Sequence, residues 1–346
     1  MQVSFILPVI NEVQLIKFTI NSILNQVDIN QVDYEILISD GGSTDGTLEI
    51  INSFILNCPY IHLIDNQQKI VSTGFNLALN KAKGEIIIRV DGHCQIPKNY
   101  IEKCCNLLKE TDADIVGGVI ETISSGFIGR AISIVQSSWF GVGGVKFRNK
   151  DLKEAGHVDT LAFGAHRREI FDYIGGYDEE MFCNQDDEFN HRALQAGKKI
   201  WMDPTIRTKY FARSSYLKLF KQYFNYGFYK VRGIQKRGEV ISIRHLIPSS
   251  FVISLIITLI VGFFLQLPLG AFFVVFLYLV FNLSASIYSA NSIRVFPLIS
   301  LAFWTLHLGY GLGFIWGLIR FFNKWNDTEL KDFNFNREQF CANNPK

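Results

Sequence analysis

The sequence predicts an α/β domain with a mostly parallel, doubly wound sheet, followed by an α-helical transmembrane region. The first observation behind this prediction is the regular alternation of short apolar runs with amphipathic stretches in the first part of the chain, which is typical of βαβ units. The second is a series of uncharged apolar segments after residue 248, near or above the roughly 20 residues that a helix needs to cross a bilayer.

The first part of the chain alternates strands and helices in a regular order. Apolar and β-branched runs predict strands at 3–10, 34–42, 61–66 and 85–93. Apolar residues at helical spacing predict helices at 13–26, 45–56 and 72–84. Asp45 is placed to cap the second helix, and Gly84 to close the third.

Acidic side chains follow two of these strands. Asp40 ends the strand YEILISD, and Asp91 with His93 ends the strand EIIIRVDGH. Ligands of parallel sheets bind beyond the carboxyl ends of the strands, so we expect these side chains to face one crevice. An acid in the turn SDGGSTDGT can accept from a nucleobase or a ribose hydroxyl, or it can simply cap the turn. The turn matches neither the dinucleotide motif nor a P-loop.

A second acidic cluster occurs in NQDDEFNHRAL. Asp186, Asp187 and Glu188 are consecutive and open a predicted helix. A helix N-terminus favours the ionised carboxylate, so we expect at least one of Asp186 and Asp187 to be charged at neutral pH. Glu188 and Arg192 have the spacing of a surface ion pair.

Net charge and cysteine spacing exclude some classes of protein. The formal net charge is +2, which carries no footprint for nucleic-acid binding. The six cysteines have no zinc-site spacing, so we interpret them as reduced thiols.

The chain divides by composition into four parts, namely 1–215, 216–247, 248–320 and 321–346. The second part mixes aromatic and basic residues, which suits an interfacial helix at a membrane or a solvated helix on the core. The third contains about three transmembrane helices, or two with a re-entrant piece, and the fourth is a polar tail. The basic residues before the first apolar segment predict a cytoplasmic α/β domain; they are Lys230, Arg232, Lys236, Arg237 and Arg244.

Six motifs occur in one order: PVINE, SDGGSTDGT, STGFNLALNKAKGE, VDGH, GGYDEE and NQDDEFNHRALQAGKKIW. Together they resemble the family 2 glycosyltransferases, which have the GT-A fold, over residues 1 to about 230. Within that family the chain is most similar to the bacterial exopolysaccharide enzymes of the succinoglycan-type ExoA group. Those enzymes have similar DGH, FGVGG, NQDDEFN and QYF-Y-G runs and an apolar C-terminus.

The resemblance implies roles in donor binding. It places Pro8, Asn11, Glu12, Asp40, Asn76 and Asp91 at the donor nucleotide, with Asp40 on the uracil ring. Asp91 and His93 occupy the family's D-x-D position, which holds Mg²⁺ or Mn²⁺ across the diphosphate. Imidazole suits Mn²⁺ better than Mg²⁺, so His93 is a manganese ligand, a direct diphosphate contact or a structural histidine.

The resemblance also implies a catalytic base and an acceptor region. The base is Asp186, or Asp187 because Gln185 replaces an acid of the family pattern. One carboxylate base without a nucleophile implies a single displacement with inversion. Arg213, Gln222, Tyr226 and Lys230 are candidates for contact with the acceptor or the diphosphate.

The function that follows is transfer of a sugar from a nucleotide-diphosphate donor, most simply a UDP-sugar, to a lipid-linked acceptor. The pathway would be exopolysaccharide or surface-glycan biosynthesis at the cytoplasmic (inner) membrane, in a multi-pass protein with a cytoplasmic catalytic domain. Polyprenyl phosphate or a glycolipid is the alternative acceptor. A catalytically inactive membrane scaffold is the alternative class, motivated by His93 and Gln185.

Overall fold

The computed structural model describes residues 2–26, 33–212, 214–238, 243–290 and 292–342. The chain forms two compact units. The first contains Met1–Glu121, Lys150–Tyr210 and Leu330–Lys346, and the second contains Thr122–Asn149 and Phe211–Glu329. Residues 122–149 therefore leave the predicted 1–215 domain for the second unit.

The first unit is built on a mixed sheet that has nine strands among the described residues. The strands are β1 (Gln2–Val9), β2 (Asp33–Asp40), β3 (Ile61–Asp65), β4 (Ile86–Arg89), β5 (Cys94–Gln95), β6 (Ile115–Ile123), β7 (Gly156–His157), β8 (Ala165–Arg167) and β9 (Ile200–Phe211). Their order is β3-β2-β1-β4-β8-β6-β9-β5, and β7 pairs with β9. Strands β1 to β4 are parallel, whereas β8 pairs antiparallel with β4.

Helices of the first unit flank this sheet. They are α1 (Ile16–Leu24), α2 (Thr47–Ile55), α3 (Val71–Leu79), α4 (Tyr100–Glu110), α7 (Glu169–Ile174), α8 (Gln185–Gln195) and α13 (Arg337–Ala342). The predicted βαβαβαβ order is confirmed. In the register of β1 and β2, Val9 lies opposite Asp40, so the predicted crevice is at the ends of adjacent strands.

Asp45 and Gly84, which were predicted to cap α2 and to close α3, have other roles in the structure. The N-cap of α2 is Gly46, and Asp45 accepts instead from the backbone N–H of Thr47 at 3.1 Å and of Val13 at 3.2 Å. Helix α3 ends at Leu79, well before Gly84. A Cβ on Gly84 would collide with the backbone of Ser4, so this glycine permits close packing on β1 and does not close the helix.

The C-terminal segment 330–342 belongs to the first unit, which corrects the prediction of a polar tail over 321–346. Phe340 is fully buried, and the Arg168 guanidinium lies 3.6 Å from the centroid of its ring. Asn80 donates to the backbone carbonyl of Asn334 at 2.6 Å and accepts from the backbone N–H of Asn336 at 2.8 Å. The buried aromatic ring explains why a segment of polar composition packs on the domain.

The second unit is helical. Its helices are α5 (Gly126–Ser137), α6 (Trp139–Val142), α9 (Tyr216–Arg237), α10 (Ile247–Leu265), α11 (Leu269–Ser289) and α12 (Phe296–Arg320). Among the described residues, three segments are long and apolar enough to cross a membrane: Ile243–Leu265, Leu269–Ser289 and Phe296–Arg320. The three segments predicted from composition are therefore helices of spanning length.

The basic residues of helix α9, which was predicted to be interfacial or solvated, do not all face water. Lys230 is 7% exposed and Arg232 is 1% exposed. The Arg232 guanidinium donates to the Asp327 carboxylate at 2.8 Å and to its backbone carbonyl at 2.9 Å. A charge that is buried must be paired, and composition alone does not reveal such a partner.

A row of glycines brings α9 and α12 together. A Cβ on Gly309 would lie 2.9 Å from the carbonyl oxygen of Phe220, and one on Gly317 would lie 2.6 Å from that of Phe228. A Cβ on Gly227 would collide with the carbonyl of Tyr310. Small residues at this spacing let two helix backbones approach closely. We call this contact the α9–α12 seam.

We predict that Gly227→Ala destabilises the protein by about 1–3 kcal/mol, because the added methyl group forces the α9–α12 seam apart. Thermal unfolding in detergent measures the effect. Gly270→Ala in α11 is the matched control, since its Cβ would meet Thr258 at ordinary distances of 3.4 and 3.5 Å. Equal thermal stability of the two variants would contradict the seam.

Candidate active site

Asp40 organises the loop that follows β2. Its Oδ2 accepts from the backbone N–H groups of Gly42 at 2.8 Å and Ser43 at 2.9 Å, and its Oδ1 accepts from the Ser43 hydroxyl at 2.5 Å. The carboxylate is 4% exposed. It therefore holds the loop directly, and a bond to a nucleobase would use the accepting capacity that Oδ1 retains.

The loop after β1 is tied to the same turn. Pro8 lies in β1 opposite Ser39. The backbone N–H of Asn11 donates to the Ser43 hydroxyl at 2.9 Å, and the Asn11 side-chain oxygen accepts from the backbone N–H of Thr44 at 2.9 Å. Asn11 has a φ of +54°, in the left-handed region that asparagine tolerates better than most residues. These bonds join the PVINE and SDGGSTDGT segments into one rim.

Glu12 and His93 form a pair across the crevice. The Glu12 Oε1 lies 2.8 Å from the His93 Nδ1, and the two side chains are 15% and 14% exposed. The imidazole also meets the ring of Tyr210 edge-on, with centroids 5.0 Å apart. The carboxylate thus orients the ring through Nδ1 and leaves Nε2 as the nitrogen for any further ligand.

Arg89, the last residue of β4, is the centre of a charged cluster. Its Nη2 and Nε donate to the Asp91 Oδ1 at 2.9 and 3.1 Å. Its guanidinium carbon lies 5.6 Å from the centroid of the Tyr177 ring. Burial alone would lower the pKa of Arg89, but the nearby Asp91, Tyr177 and Asp186 raise it above the ordinary value. Arg89 is therefore charged; it is bonded to Asp91 and lies within electrostatic range of Asp186.

Asp186 lies in the first turn of α8 and is half-buried. Its Oδ1 accepts from the backbone N–H of Asp187 at 3.0 Å. Burial raises the pKa of the Asp186 carboxyl, Arg89 opposes that rise, and Asp187 adds to it. Desolvation is the largest influence on this carboxyl, and the expectation that at least one of Asp186 and Asp187 is charged at neutral pH stays a prediction.

The loop 175–181, which follows α7, places Tyr177 and is held from α3. The Asn76 amide donates to the Tyr177 carbonyl at 2.8 Å and to the Glu179 Oε1 at 2.8 Å, and its oxygen accepts from the Tyr177 backbone N–H at 2.8 Å. Asn76 is 0% exposed. Asn76 holds this loop through its hydrogen bonds, and its predicted contact with the nucleotide has no support in this geometry.

The pair Glu188–Arg192 is also structural, and it is not a surface pair. Glu188 is 4% exposed, and its two oxygens accept from Arg192 at 2.6 and 2.9 Å. Arg192 donates to the Gly176 carbonyl at 2.7 Å as well. Next to it, Gln185 is 5% exposed, and its Oε1 has no hydrogen-bond partner among the described residues.

Three of the residues predicted at the acceptor lie on α9 in the second unit. Gln222 donates to the Tyr226 hydroxyl at 3.0 Å, Tyr226 packs on the core of that unit, and Lys230 is buried. Arg213 lies outside the described residues. Contact of these four residues with an acceptor stays a prediction.

Sequence reasoning missed Arg89 and Tyr177. Arg89 interrupts the apolar run EIIIRV, and a charge in a strand buried on both faces is itself a signal for a paired site. Tyr177 gave no such signal in GGYDEE. Burial raises its pKa to about 12 despite the lowering effect of Arg89, so its phenol is neutral at physiological pH.

Comparison with known proteins decides the family. Residues 4–175 match the family model described as Glycosyl transferase family 2. The chain is 31% identical over 248 residues to the succinoglycan biosynthesis protein ExoA of Rhizobium meliloti, covering 70% of this chain and 73% of that protein. The chain is a family 2 glycosyltransferase.

A second relative matches nearly the whole length of this glycosyltransferase. It is the dolichyl N-acetyl-alpha-D-glucosaminyl phosphate 3-beta-D-2,3-diacetamido-2,3-dideoxy-beta-D-glucuronosyltransferase of Methanococcus voltae, 28% identical over 92% of this chain and 97% of that protein. The crystal structure of S. aureus TarS 1-349 has a TM-score of 0.50 and 18% identity, covering 92% of this chain and 91% of that one. The TarS likeness shows the fold, a GT-A-like mixed sheet.

Family 2 glycosyltransferases typically depend on a divalent cation. In the part of this glycosyltransferase that the structure describes, no group of three or more His, Cys, Asp or Glu side chains forms a metal cage. Asp91 offers one oxygen beyond its bonded Oδ1, and His93 offers Nε2. Two such ligands fit a cation shared with a diphosphate and do not fit a metal held by the protein alone.

We predict that Asp186→Asn in this glycosyltransferase raises thermal stability at pH 7.5 relative to the natural protein. Because the folded-state pKa of Asp186 is raised above 3.8, folding loses stability as the pH rises from about that value through the folded pKa. The uncharged asparagine escapes this loss. Thermal unfolding at several pH values should show the advantage shrinking as the pH falls toward 4. A variant that is less stable at pH 7.5 would contradict the desolvation of Asp186.

Proposed function

We propose that the protein is a membrane-bound inverting glycosyltransferase that transfers a sugar from a UDP-sugar to a lipid-linked acceptor at the cytoplasmic membrane. The observation that carries the proposal is the charged cluster at the end of β4, in which the buried Arg89 guanidinium donates to Asp91 at 2.9 Å and interacts electrostatically with Asp186. One carboxylate is at a strand end where a donor would lie, and the other opens a helix with a raised pKa. The acceptor belongs to exopolysaccharide or surface-glycan assembly.

The raised pKa of Asp186 suits a general base. A base works best when its pKa approaches the working pH, and burial moves Asp186 in that direction. Asp186 would take the proton of the acceptor hydroxyl while that oxygen attacks the anomeric carbon. With one carboxylate as base and none as nucleophile, the reaction is a single displacement with inversion. Asp187 is the alternative base.

The rim formed by Asn11, Glu12 and the Asp40 loop would receive the nucleotide. Its carbonyl, amide and carboxylate groups are ordered by bonds between the two segments, so little ordering cost remains for binding. Asp91 and the Nε2 of His93 would hold Mn²⁺ or Mg²⁺ against the diphosphate. When bound, the cation supplies charge stabilisation for the leaving nucleoside diphosphate.

Relatives support the lipid-linked acceptor. The name of the Methanococcus voltae protein describes a sugar linked through phosphate to dolichol as its acceptor, and the match covers 92% of this chain. Helices of spanning length in the same chain would keep such an acceptor near the catalytic unit. Polyprenyl phosphate and a glycolipid are the other acceptors that the test includes.

The first experiment screens UDP-, GDP- and dTDP-sugars with membranes and with lipid-linked acceptors, and measures release of the nucleoside diphosphate. We expect release with a UDP-sugar that rises when a polyprenyl-diphosphate oligosaccharide is added. Asp186→Asn should lower the rate by about 10²–10⁴-fold, the usual contribution of a general base.

Asp187→Asn is the matched control, one residue away on the same helix turn, and it should retain most of the activity. Loss of activity in Asp187→Asn with an active Asp186→Asn protein would transfer the base to Asp187. An inactive natural protein with every donor, in the presence of Mn²⁺, would favour the scaffold and contradict the proposal.

The second experiment tests His93 as a cation ligand. His93→Asp replaces an imidazole by a hard oxygen ligand, so we expect the ratio of activity with Mg²⁺ to activity with Mn²⁺ to rise. His62→Asp, at an exposed position of β3, is the control and should leave that ratio unchanged. An unchanged ratio in His93→Asp would exclude His93 as a metal ligand.

A further inference from the structure

We infer that the chain crosses the membrane twice, by the hairpin of α10 and α11, and that α12 stays on the same side as the catalytic unit. Within the bilayer, lipid then contacts the outer surface of this hairpin alone. Length and apolar composition would give three crossings, but two features of the packing oppose the third.

The first feature is the return of the chain to the first unit. Residues 1–121 and 330–346 belong to one compact unit. The contacts of the returning segment are specific: Asn334 donates to the Glu179 Oε2 at 2.7 Å, Glu179 Oε1 accepts from the Asn334 backbone N–H at 2.9 Å, and Phe340 is fully buried. A chain that leaves one unit and returns to it must cross a bilayer an even number of times. Three crossings would separate Glu179 from Asn334.

The second feature is the α9–α12 seam. Gly309 lies against Phe220, Gly313 against Phe224 and Gly317 against Phe228, so the two helices run parallel and in step. The two helices must therefore reach a similar depth in the bilayer.

Helix α9 carries charges along its whole length, which are Lys218, Lys221, Lys230, Arg232, Lys236 and Arg237. Lys218 and Lys221 are exposed and lie within one turn of Phe220, which meets the middle of α12. A lysine at the bilayer centre costs about 2.5–3.5 kcal/mol or more. The pair therefore fits the membrane surface, where lysines reach water.

The hairpin of α10 and α11 has the opposite character. No charged residue occurs from Ile247 to Ser289. In the most apolar stretch of each of these two helices, only 17% and 22% of the residues are buried, compared with 50% in α12. Their 19 and 21 residues correspond to about 28 and 32 Å at 1.5 Å per residue, close to the ~30 Å hydrocarbon core. The large apolar side chains at their surface have lipid as the matching partner; they include Phe263, Phe264, Phe272, Phe273 and Phe276.

The test compares single thiols in the full-length protein in intact spheroplasts, with a membrane-impermeant maleimide. Cys341 is exposed in the returning segment, Cys58 is half-buried in the catalytic unit, and Cys94, Cys104 and Cys105 are buried. With the other accessible cysteines changed to serine, Cys58 and Cys341 are measured separately. Gln266→Cys reports the tip of the hairpin, and Ser292→Cys reports the α11–α12 connection.

We expect Cys58, Cys341 and Ser292→Cys to react only after detergent is added, and Gln266→Cys to react in intact spheroplasts. Labelling of Cys341 without labelling of Cys58 would establish a third crossing and overturn the inference. Gln266→Cys that reacts only in detergent would show that the hairpin does not cross, which overturns it equally. A C-terminal green fluorescent protein on the natural chain, which we expect to fluoresce, repeats the Cys341 measurement without any substitution.

Discussion

A single buried guanidinium organises the catalytic unit. Arg89 ends a central strand, and arginine cannot lose its proton at any physiological pH, so the fold must bring negative charge to it. Asp91 supplies a direct ion pair at 2.9 Å, and Asp186 supplies a second charge from a distant helix. The ion pair with Asp91 joins the end of β4 to the segment that follows it, because a buried charge that loses its partner is costly.

The loop that carries Tyr177 depends on three separate supports. Asn76 holds it from α3, Arg192 holds it from α8, and Asn334 reaches it through Glu179. A loop with this many bonds from regular elements is rigid, and it keeps the Tyr177 ring against Arg89. Asn76 was predicted to bind a ligand, but its hydrogen bonds hold the loop that carries Tyr177.

The sequence was sufficient for elements whose signal is local. The order of the first strands and helices and the strand-end position of Asp40 and Asp91 follow from periodicity over a few residues, and the three apolar helices follow from the length and lack of charge of their segments. Partners that lie far apart in the chain could not be predicted in this way. Arg232 was not predicted to be paired, because its partner Asp327 lies far away in the sequence. Glu188 was predicted to be exposed, because its partner Arg192 is held by the carbonyl of Gly176 in another loop. The polar composition of 330–342 likewise concealed one buried ring, Phe340.

The placement of residues 330–342 has a consequence for biosynthesis. Domains usually fold from the N-terminus as they leave the ribosome, but here the last piece of the first unit is translated after every apolar helix. Glu179, Asn80 and Arg168 therefore gain their partners in this segment only after α10, α11 and α12 have been synthesised. The catalytic unit is thus incomplete until translation has passed Phe340, so a nascent chain that stops before this residue lacks part of its fold.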